Sequence, residues 1–307
     1  MIVLSCPGQG SQVPGFLSPW LENQTFRNSI EASSDVLKLD LVKYGTASDA
    51  DEIRDTKVAQ PLIVAAGIAS YEVLKEKAPK EDFFMGVTGH SVGEITAAYI
   101  AGIFDNQSAL KFVQTRGEQM AIAASLEQSS MAAVVGGKPD EVIAQLETLG
   151  LSAVNYNGPG QIVAAGAKEL IQELIASPPA GTRVVGLAVA GAFHTKYMES
   201  AKKVLLELAS NLSVSDPNKT IWTNNSGETV SSGEQFLELL VNQVSKPVRW
   251  DKTMDSMTTK RVSAIIELLP AGTLTGIAKR AMPGVELVAL KSPEDIEKAL
   301  EVIGRLS

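Results

Sequence analysis

The sequence has few of the side chains that most often announce chemistry. It holds a single cysteine, Cys6, and two histidines, His90 and His194. One cysteine cannot close a disulfide within the chain, which fits a reducing compartment. No group of His, Cys, Asp and Glu shows metal-ligand spacing, so no metal is expected. A basic surplus is also missing. Asp and Glu total 35 against 27 Lys and Arg, giving a formal net charge of −8 and a pI near 5.0. That balance argues against general nucleic-acid binding, which needs a basic surface. No apolar run approaches the roughly 20 residues of a membrane span. The N-terminus Met1-Ile2-Val3-Leu4-Ser5 lacks a basic region and a cleavage pattern, so a cytoplasmic location without membrane attachment is expected. Repeats and low-complexity runs are absent as well. What is present is 307 residues, 45% of them apolar. That is enough for one large domain or a core with a smaller domain inserted.

The chain is organised around Gly89-His90-Ser91-Val92-Gly93. The apolar run Phe83 to Thr88 before it reads as a buried strand, and Glu94 to Ala101 after it reads as a helix that Gly102 ends. A serine at a strand-to-helix turn, with glycine two residues to either side, is the nucleophile-elbow pattern. The sharp turn lifts Ser91 Oγ out of the sheet, and a side chain at either glycine would strike neighbouring backbone. The helix that follows aims free N–H groups at the turn, where an oxyanion would be stabilised. The competing reading is a glycine-rich turn with an incidental serine.

Ile2 to Cys6 reads as a first buried strand, with Cys6 as packing. Pro7-Gly8-Gln9-Gly10-Ser11-Gln12 follows it. Glycines around Gln9 allow a tight turn with exposed N–H groups. This is either half of an anion or oxyanion site or an ordinary strand exit. A dinucleotide fingerprint is excluded by the missing third glycine. Residues 13–82 read as helices and loops, with Val58 to Leu74 a buried helix that contains Pro61. Asp105 is a plausible N-cap for a helix whose apolar face carries Ala109, Phe112, Val113 and Met120. Arg116 lies on that same face, beside the small Gly117. A guanidinium pointing inward is costly unless paired. Its partner is either a carboxylate of the chain or a carboxylate on a substrate.

Residues 131–189 form a distinct block. Met131–Val135, Leu151–Tyr156, Gln161–Ala165 and Arg183–Val189 read as strands, and Pro139–Leu149 and Lys168–Ala176 as helices. The order is βαββαβ, a ferredoxin-like arrangement. Beyond it, helices over Lys196–Leu212, Gly233–Val244, Leu274–Met282 and Pro293–Leu306 alternate with strands over Thr220–Thr223, Val262–Leu268 and Val285–Leu290. Such alternation implies a mostly parallel sheet covered on both faces. The expected fold is therefore α/β. A large domain (1–127 and 193–307) would carry a small inserted domain (128–192). His90, adjacent to Ser91, should point away from it and serve structure. If Ser91 needs a general base near neutral pH, His194 in Ala192-Phe193-His194-Thr195 is the natural candidate.

With these residues in view, the chain resembles the malonyl-CoA:acyl carrier protein transacylases, in detail the actinobacterial type. The resemblance rests on Pro7-Gly8-Gln9-Gly10-Ser11-Gln12, Gly89-His90-Ser91-Val92-Gly93-Glu94, Gln114-Thr115-Arg116-Gly117, Gly191-Ala192-Phe193-His194-Thr195, Gln243 ahead of Pro247-Val248-Arg249-Trp250, and Ala271-Gly272-Thr273-Leu274. It spans nearly the whole chain. It implies a hydrolase-like core with a ferredoxin-like insert. It implies Ser91 as nucleophile, His194 as base, and the main-chain carbonyl of Gln243 as the acceptor that holds the histidine. The backbone N–H groups of Gln9 and Val92 would form the oxyanion hole, and Arg116 would clamp the malonyl carboxylate. Met120 and Phe193 would line the acyl pocket, with Phe193 resembling the malonyl-selective form. Val92 replaces the commoner leucine and Thr195 the commoner serine.

The implied reaction is ping-pong transfer of malonyl from malonyl-CoA, through malonyl-Ser91, to the phosphopantetheine thiol of acyl carrier protein in fatty-acid or polyketide synthesis. No cofactor is implied beyond the coenzyme A thioester, and a monomer is expected. The alternative is a serine thioesterase or carboxylesterase using the same Ser91 and His194. Against it stand the long stretch of chain after His194 and the inward arginine. A non-catalytic scaffold is disfavoured by the intact Ser91, His194 and Arg116. Since carrier proteins are acidic, docking would need local cations. Lys196, Lys202, Lys203, Arg249, Lys279 and Arg280 are the candidates.

Overall fold

The run Ile2-Val3-Leu4-Ser5-Cys6 is buried at all five positions, as a strand covered on both faces must be. In the computed structural model it lies in the middle of the larger of two sheets. The structure describes residues 1–80 and 82–306. Glu81, in the stretch read as helices and loops, and Ser307, at the end of the large domain, fall outside it. The chain runs β1 (Ile2–Cys6), α1 (Gln24–Leu37), α2 (Leu41–Thr46), α3 (Thr56–Lys77), β2 (Gly86–Gly89), α4 (Gly93–Ile100) and α5 (Asn106–Leu126). Next come β3 (Ser129–Gly136), α6 (Pro139–Thr148), β4 (Ser152–Tyr156), β5 (Gln161–Ala167), α7 (Lys168–Ala176) and β6 (Thr182–Gly186). The remainder is α8 (Glu199–Ala209), β7 (Thr220–Trp222), β8 (Thr229–Val230), α9 (Gly233–Gln243), α10 (Trp250–Thr259), β9 (Ala264–Glu267), α11 (Thr273–Ala281), β10 (Glu286–Ala289) and α12 (Asp295–Leu306).

The six-stranded sheet has the order β10-β9-β1-β2-β7-β8 and is parallel except for the last pair. Ser5 pairs with Thr88 and Cys6 with Gly89. The carboxyl ends of β1 and β2 therefore finish side by side, and the loops that leave them share one edge of the sheet, where open α/β sheets present their sites. The second sheet has the order β4-β5-β3-β6, is antiparallel throughout, and carries α6 and α7. All its strands fall between Ser129 and Gly186. It is stitched to the rest of the chain by Val248, whose N–H donates to Val154 O at 2.8 Å and whose carbonyl accepts from Tyr156 N at 3.0 Å.

Helix α3 is apolar nearly all round, as a helix enclosed on every side must be, with Pro61 tolerated in its second turn. Helix α5 packs across its N-terminus. A Cβ on Gly117 would lie 2.9 Å from Thr56 O, so the glycine lets the two helices approach and brings Arg116 beside Gln60. Asp105 caps α5 by accepting from Ser108 N at 2.7 Å.

Several boundaries differ from the sequence reading. Phe83 and Phe84 precede β2. They pack on each other, and Phe84 meets the edge of Tyr71. The strand begins at Gly86, where a side chain would meet Trp222 of β7 at 2.6 Å. Strand β6 ends at Gly186; Leu187 N still donates to Met131 O at 2.9 Å, and the chain then turns, with Val189 N donating to Leu187 O at 3.0 Å. The helix expected from Lys196 opens as a tight 3-10 turn over Lys196–Met198, with the Thr195 side chain accepting from Tyr197 N. It closes at Ala209, after which Leu212 N returns to Ala209 O. Strand β8 and helix α10 have no counterpart in the sequence reading.

The glycines of the elbow yield a stability test. A Cβ on Gly93 would sit 2.1 Å from Cys6 O, and one on Gly89 2.1 Å from the carbonyl carbon of Gly93. Neither neighbour can move without displacing β1 or α4. Gly276, inside α11, has nothing within 4 Å of its Cβ position. In chemical denaturation, Gly93→Ala should lose at least about 3 kcal/mol. Gly276→Ala should gain about 0.5–1 kcal/mol from lower backbone entropy in the unfolded chain.

Candidate active site

Strand β2 ends at Gly89, and α4 starts at Gly93. The three-residue reversal between them holds Ser91 at φ +52°, a left-handed conformation that costs a serine energy and needs support from its surroundings. That support comes from a side chain far along the sequence. Asn224, just past β7, accepts from Ser91 N through Oδ1 at 2.7 Å and donates from Nδ2 to Gly89 O at 2.7 Å. One amide thus grips both sides of the turn. Ser91 is half-buried, and its Oγ lies 2.8 Å from His194 Nε2.

His194 is also left-handed, at φ +63°. Its backbone N–H donates to Val244 O at 3.0 Å, and its Nδ1 lies 2.8 Å from the Gln243 carbonyl oxygen. A carbonyl only accepts, so Nδ1 carries the proton and Nε2 is left as the acceptor for the serine hydroxyl. Burial, reinforced by the positive charge of Arg116, pulls the imidazole down to about 3 against the opposing pull of the Gln243 carbonyl. The ring is therefore neutral at ordinary pH and able to take a proton.

Arg116 is completely buried. Its Nη1 donates to Gln60 Oε1 at 2.6 Å and its Nη2 to Gln243 Oε1 at 2.9 Å, with Ser91 Oγ at 3.4 Å from Nη2. Nε has no partner. Of the two partners open from sequence, an ion pair with a carboxylate of the chain is not formed among the described residues. Two neutral glutamine amides hold the guanidinium instead. Burial lowers it to about 10, opposed by the nearby charge of Glu94, so it remains a cation.

Glu94, in the first turn of α4, is 2% exposed. Its Oε1 accepts from Asn224 N at 2.6 Å, and its Oε2 accepts from Gln243 Nε2. Burial pushes the carboxyl up, and the Asn224 amide, Arg116 and Gln243 pull it back down. Both oxygens accept from N–H donors, which is the bonding pattern of the ionised form.

The loop after β1 reaches the same place. Gly8 packs so closely on His90 that a Cβ there would meet its carbonyl oxygen at 2.8 Å. The loop is pinned by its own polar side chains: Ser11 Oγ donates to Gly8 O, Gln12 Oε1 accepts from Gly10 N, and Gln12 Nε2 donates to Ile53 O. Gln9 turns its side chain toward Arg54 O and Thr56 Oγ1. The backbone N–H groups of Gln9 and Val92 have no acceptor among the described residues. Val92 follows Ser91 directly in the chain, and Gln9 belongs to the loop whose Gly8 packs on His90.

His90 faces away from Ser91. Its Nε2 lies 3.0 Å from Asn157 Oδ1, and its ring meets Trp250 edge-on at 5.5 Å. It lines a cleft of about 380 Å³ between the two sheets, together with Gln9, Asn155, Asn157, Leu187 and Arg280. Met120 and Phe193 are both buried in the main core, and Met120 Sδ lies 3.5 Å from Gln60 Nε2. Cys6 is buried in β1, and desolvation beside Glu267 pushes its thiol far up, so it is inert.

Of the candidate docking cations, Arg249 is the one already engaged within the chain. It pairs with Asp251 through two hydrogen bonds and stacks over Tyr156 at 4.5 Å. The other five make no ion pair among the described residues, and Arg280 stands at the cleft. Sequence reasoning missed Gln60, Glu94 and Asn224 as members of the site. The signal was there for two of them: the one polar residue in the stretch 58–69, and an acid opening a helix with no other charge.

Comparison with known proteins adds an independent finding. A family model described as acyl transferase domain matches residues 3–306. The chain is 44% identical over 298 residues to the malonyl CoA-acyl carrier protein transacylase of Mycobacterium tuberculosis strain H37Rv, covering 97% of this chain and 99% of that one. It is similar to the crystal structure of MCAT from Mycobacterium tuberculosis with a TM-score of 0.94 at 44% identity, over 98% of this chain and 99% of the other. It is also similar to a malonyl-transacylase solved in complex with its type II PKS acyl-carrier protein, with a TM-score of 0.93 at 28% identity, over 98% and 99% of the two chains.

The buried neutral His194 gives a signed pH test. An unfolded chain protonates this histidine near 6.5, whereas the folded one resists until about 3. Between those values the unfolded state binds more protons, so this group makes stability fall as pH falls. Measured by denaturation, His194→Gln should therefore gain on the wild type as pH drops below 6.5, with a slope approaching about 1.4 kcal/mol per pH unit. A difference independent of pH would contradict a neutral buried ring.

Proposed function

The chain belongs to the acyl transferase domain family, and from that premise we propose that it moves the malonyl group of malonyl-CoA onto the phosphopantetheine thiol of an acyl carrier protein. The observation that carries the choice of acyl group is Arg116, a buried cation beside Ser91 that no carboxylate among the described residues pairs with. A diacid supplies the missing carboxylate and forms a forked pair. A simple fatty acyl group would leave the guanidinium facing apolar atoms. The names of the relatives agree, since those proteins are malonyl CoA-acyl carrier protein transacylases.

The reaction takes two acyl transfers. His194 Nε2 accepts the Ser91 proton as Oγ attacks the thioester carbonyl, and the oxyanion is met by the N–H groups of Gln9 and Val92. The C–S bond breaks, and the coenzyme A sulfur leaves with the proton from His194. The carrier-protein thiol then gives its proton to His194 and attacks malonyl-Ser91. The C–O bond breaks, and Ser91 regains its hydrogen. The Gln243 carbonyl keeps the imidazole in the required tautomer without placing a second negative charge beside the base.

In this reading Met120 and Phe193 bound the acyl pocket, Phe193 leaving little room for a methyl branch. The cleft past His90 takes the pantetheine arm, with Lys196, Lys202, Lys203, Lys279 and Arg280 as docking cations. The larger sheet and its helices make up a hydrolase-like core (1–127 and 193–307), and the antiparallel sheet is a ferredoxin-like insert (128–192). The protein is a cytoplasmic monomer in fatty-acid or polyketide synthesis. It requires no cofactor beyond its thioester substrate and binds neither nucleic acid nor membrane.

Intact-protein mass spectrometry tests this. Malonyl-CoA alone should leave a malonyl adduct that is absent in Ser91→Ala and discharged by carrier protein, while acetyl-CoA should load poorly. Arg116→Ala should slow malonyl loading by about 100-fold, the value of a charged hydrogen-bond pair at about 1.4 kcal/mol per factor of ten. Steady release of free malonate without an adduct would favour the thioesterase alternative.

A further inference from the structure

Arg116 and Glu94 are opposite charges buried in one site, yet they do not touch. The side chain of Gln243 stands between them, with Oε1 accepting from Arg116 Nη2 at 2.9 Å and Nε2 donating to Glu94 Oε2. The amide has one acceptor end and one donor end, and each faces the only kind of partner it can use. Nε2 also reaches Ser91 O and Asn224 Oδ1, both at a longer 3.2 Å, so the carboxylate is its shortest and only charged acceptor. We infer that Glu94 is a positioning residue for acyl selection: by fixing the direction of the Gln243 amide, it holds Arg116 in the orientation that receives the acyl carboxylate. The inference rests on the proposed role of Arg116 as the carboxylate clamp.

The arrangement solves a conflict. A buried guanidinium needs compensation, but a carboxylate bonded directly to it would occupy the donors that a substrate must use. Relaying the compensation through a neutral amide leaves Nη2 beside Ser91 Oγ and Nε unpartnered. Glu94 cannot shift to suit, because its other oxygen is engaged by Asn224 N at 2.6 Å. Glu94→Gln keeps the shape and breaks the polarity. Glutamine offers one oxygen to two N–H donors, Asn224 N and Gln243 Nε2. If the oxygen stays with Asn224, two NH₂ groups face each other and Gln243 must turn or withdraw. Either movement takes the acceptor away from Arg116.

The experiment measures initial rates of Ser91 loading from malonyl-CoA and from acetyl-CoA by intact mass, and reads their ratio. In Glu94→Gln the malonyl-to-acetyl ratio should fall at least tenfold relative to the wild type. An unchanged ratio, with both rates reduced in step, is what a purely structural glutamate gives and overturns the inference. A raised ratio also overturns it, since that is the result of deleting a carboxylate that merely repels the malonyl group. Gln243→Met retains the main-chain carbonyl for His194 but removes the relay. It should lose the ratio to the same extent, and an unchanged ratio there overturns the inference even if Glu94→Gln does not fold. A wild type that loads both thioesters equally would overturn the clamp and this inference together, a failure distinct from a selective wild type with a variant that matches it.

Discussion

The burial of one guanidinium constrains this site more than any other interaction. Arg116 is brought in by a helix that approaches α3 closely because Gly117 has no side chain. Once inside, it must be satisfied without being neutralised on the spot. Gln60 from α3 and Gln243 from the end of α9 meet it, and Glu94 stands one residue further back. The same Gln243 supplies the carbonyl that orients His194, and the same Glu94 anchors the asparagine that grips the Ser91 turn. Ser91, His194 and Arg116 are therefore members of one hydrogen-bonded network in a dry interior, where each polar group left without a partner would be costly.

Local sequence carried much of this. The elbow was legible because its two glycines are demanded by backbone crowding that any such turn creates. The inward face of Arg116 was legible because helical periodicity assigns it. The order of elements in the antiparallel sheet was legible because its strands and helices are short, patterned and punctuated by glycine and proline. What could not be read is what depends on distant segments converging. Asn224 and Gln60 belong to the site only because β7 runs beside β2 and α3 beside α5. Strand β8 has two residues and exists by virtue of its partner β7. Helix α10 begins in a motif whose Arg249 and Trp250 attracted attention as a signature, whereas Trp250 serves to pack against His90 and Arg249 to cover Tyr156.

Strain and support are matched in the same way. Ser91 and His194 both adopt left-handed backbone conformations, which side chains with a Cβ avoid unless the surroundings impose them. In each case a specific contact imposes it. The Asn224 amide brackets the serine, and the 243–244 carbonyls hold the histidine by ring and backbone. The two strained residues face each other at 2.8 Å, so the cost of the geometry is concentrated at this one contact and borne by its neighbours.

The backbone stitch at Val248 gives the smaller sheet more than a structural part. Val248 follows Gln243 by only a short loop and exchanges hydrogen bonds with Val154 and Tyr156 of β4. The wall of the cleft that bears Asn155 and Asn157 is therefore fastened to the segment whose carbonyl aims the imidazole. Within residues 243–248 one short stretch of backbone thus serves two boundaries, orienting the imidazole at one end and anchoring a wall of the cleft at the other.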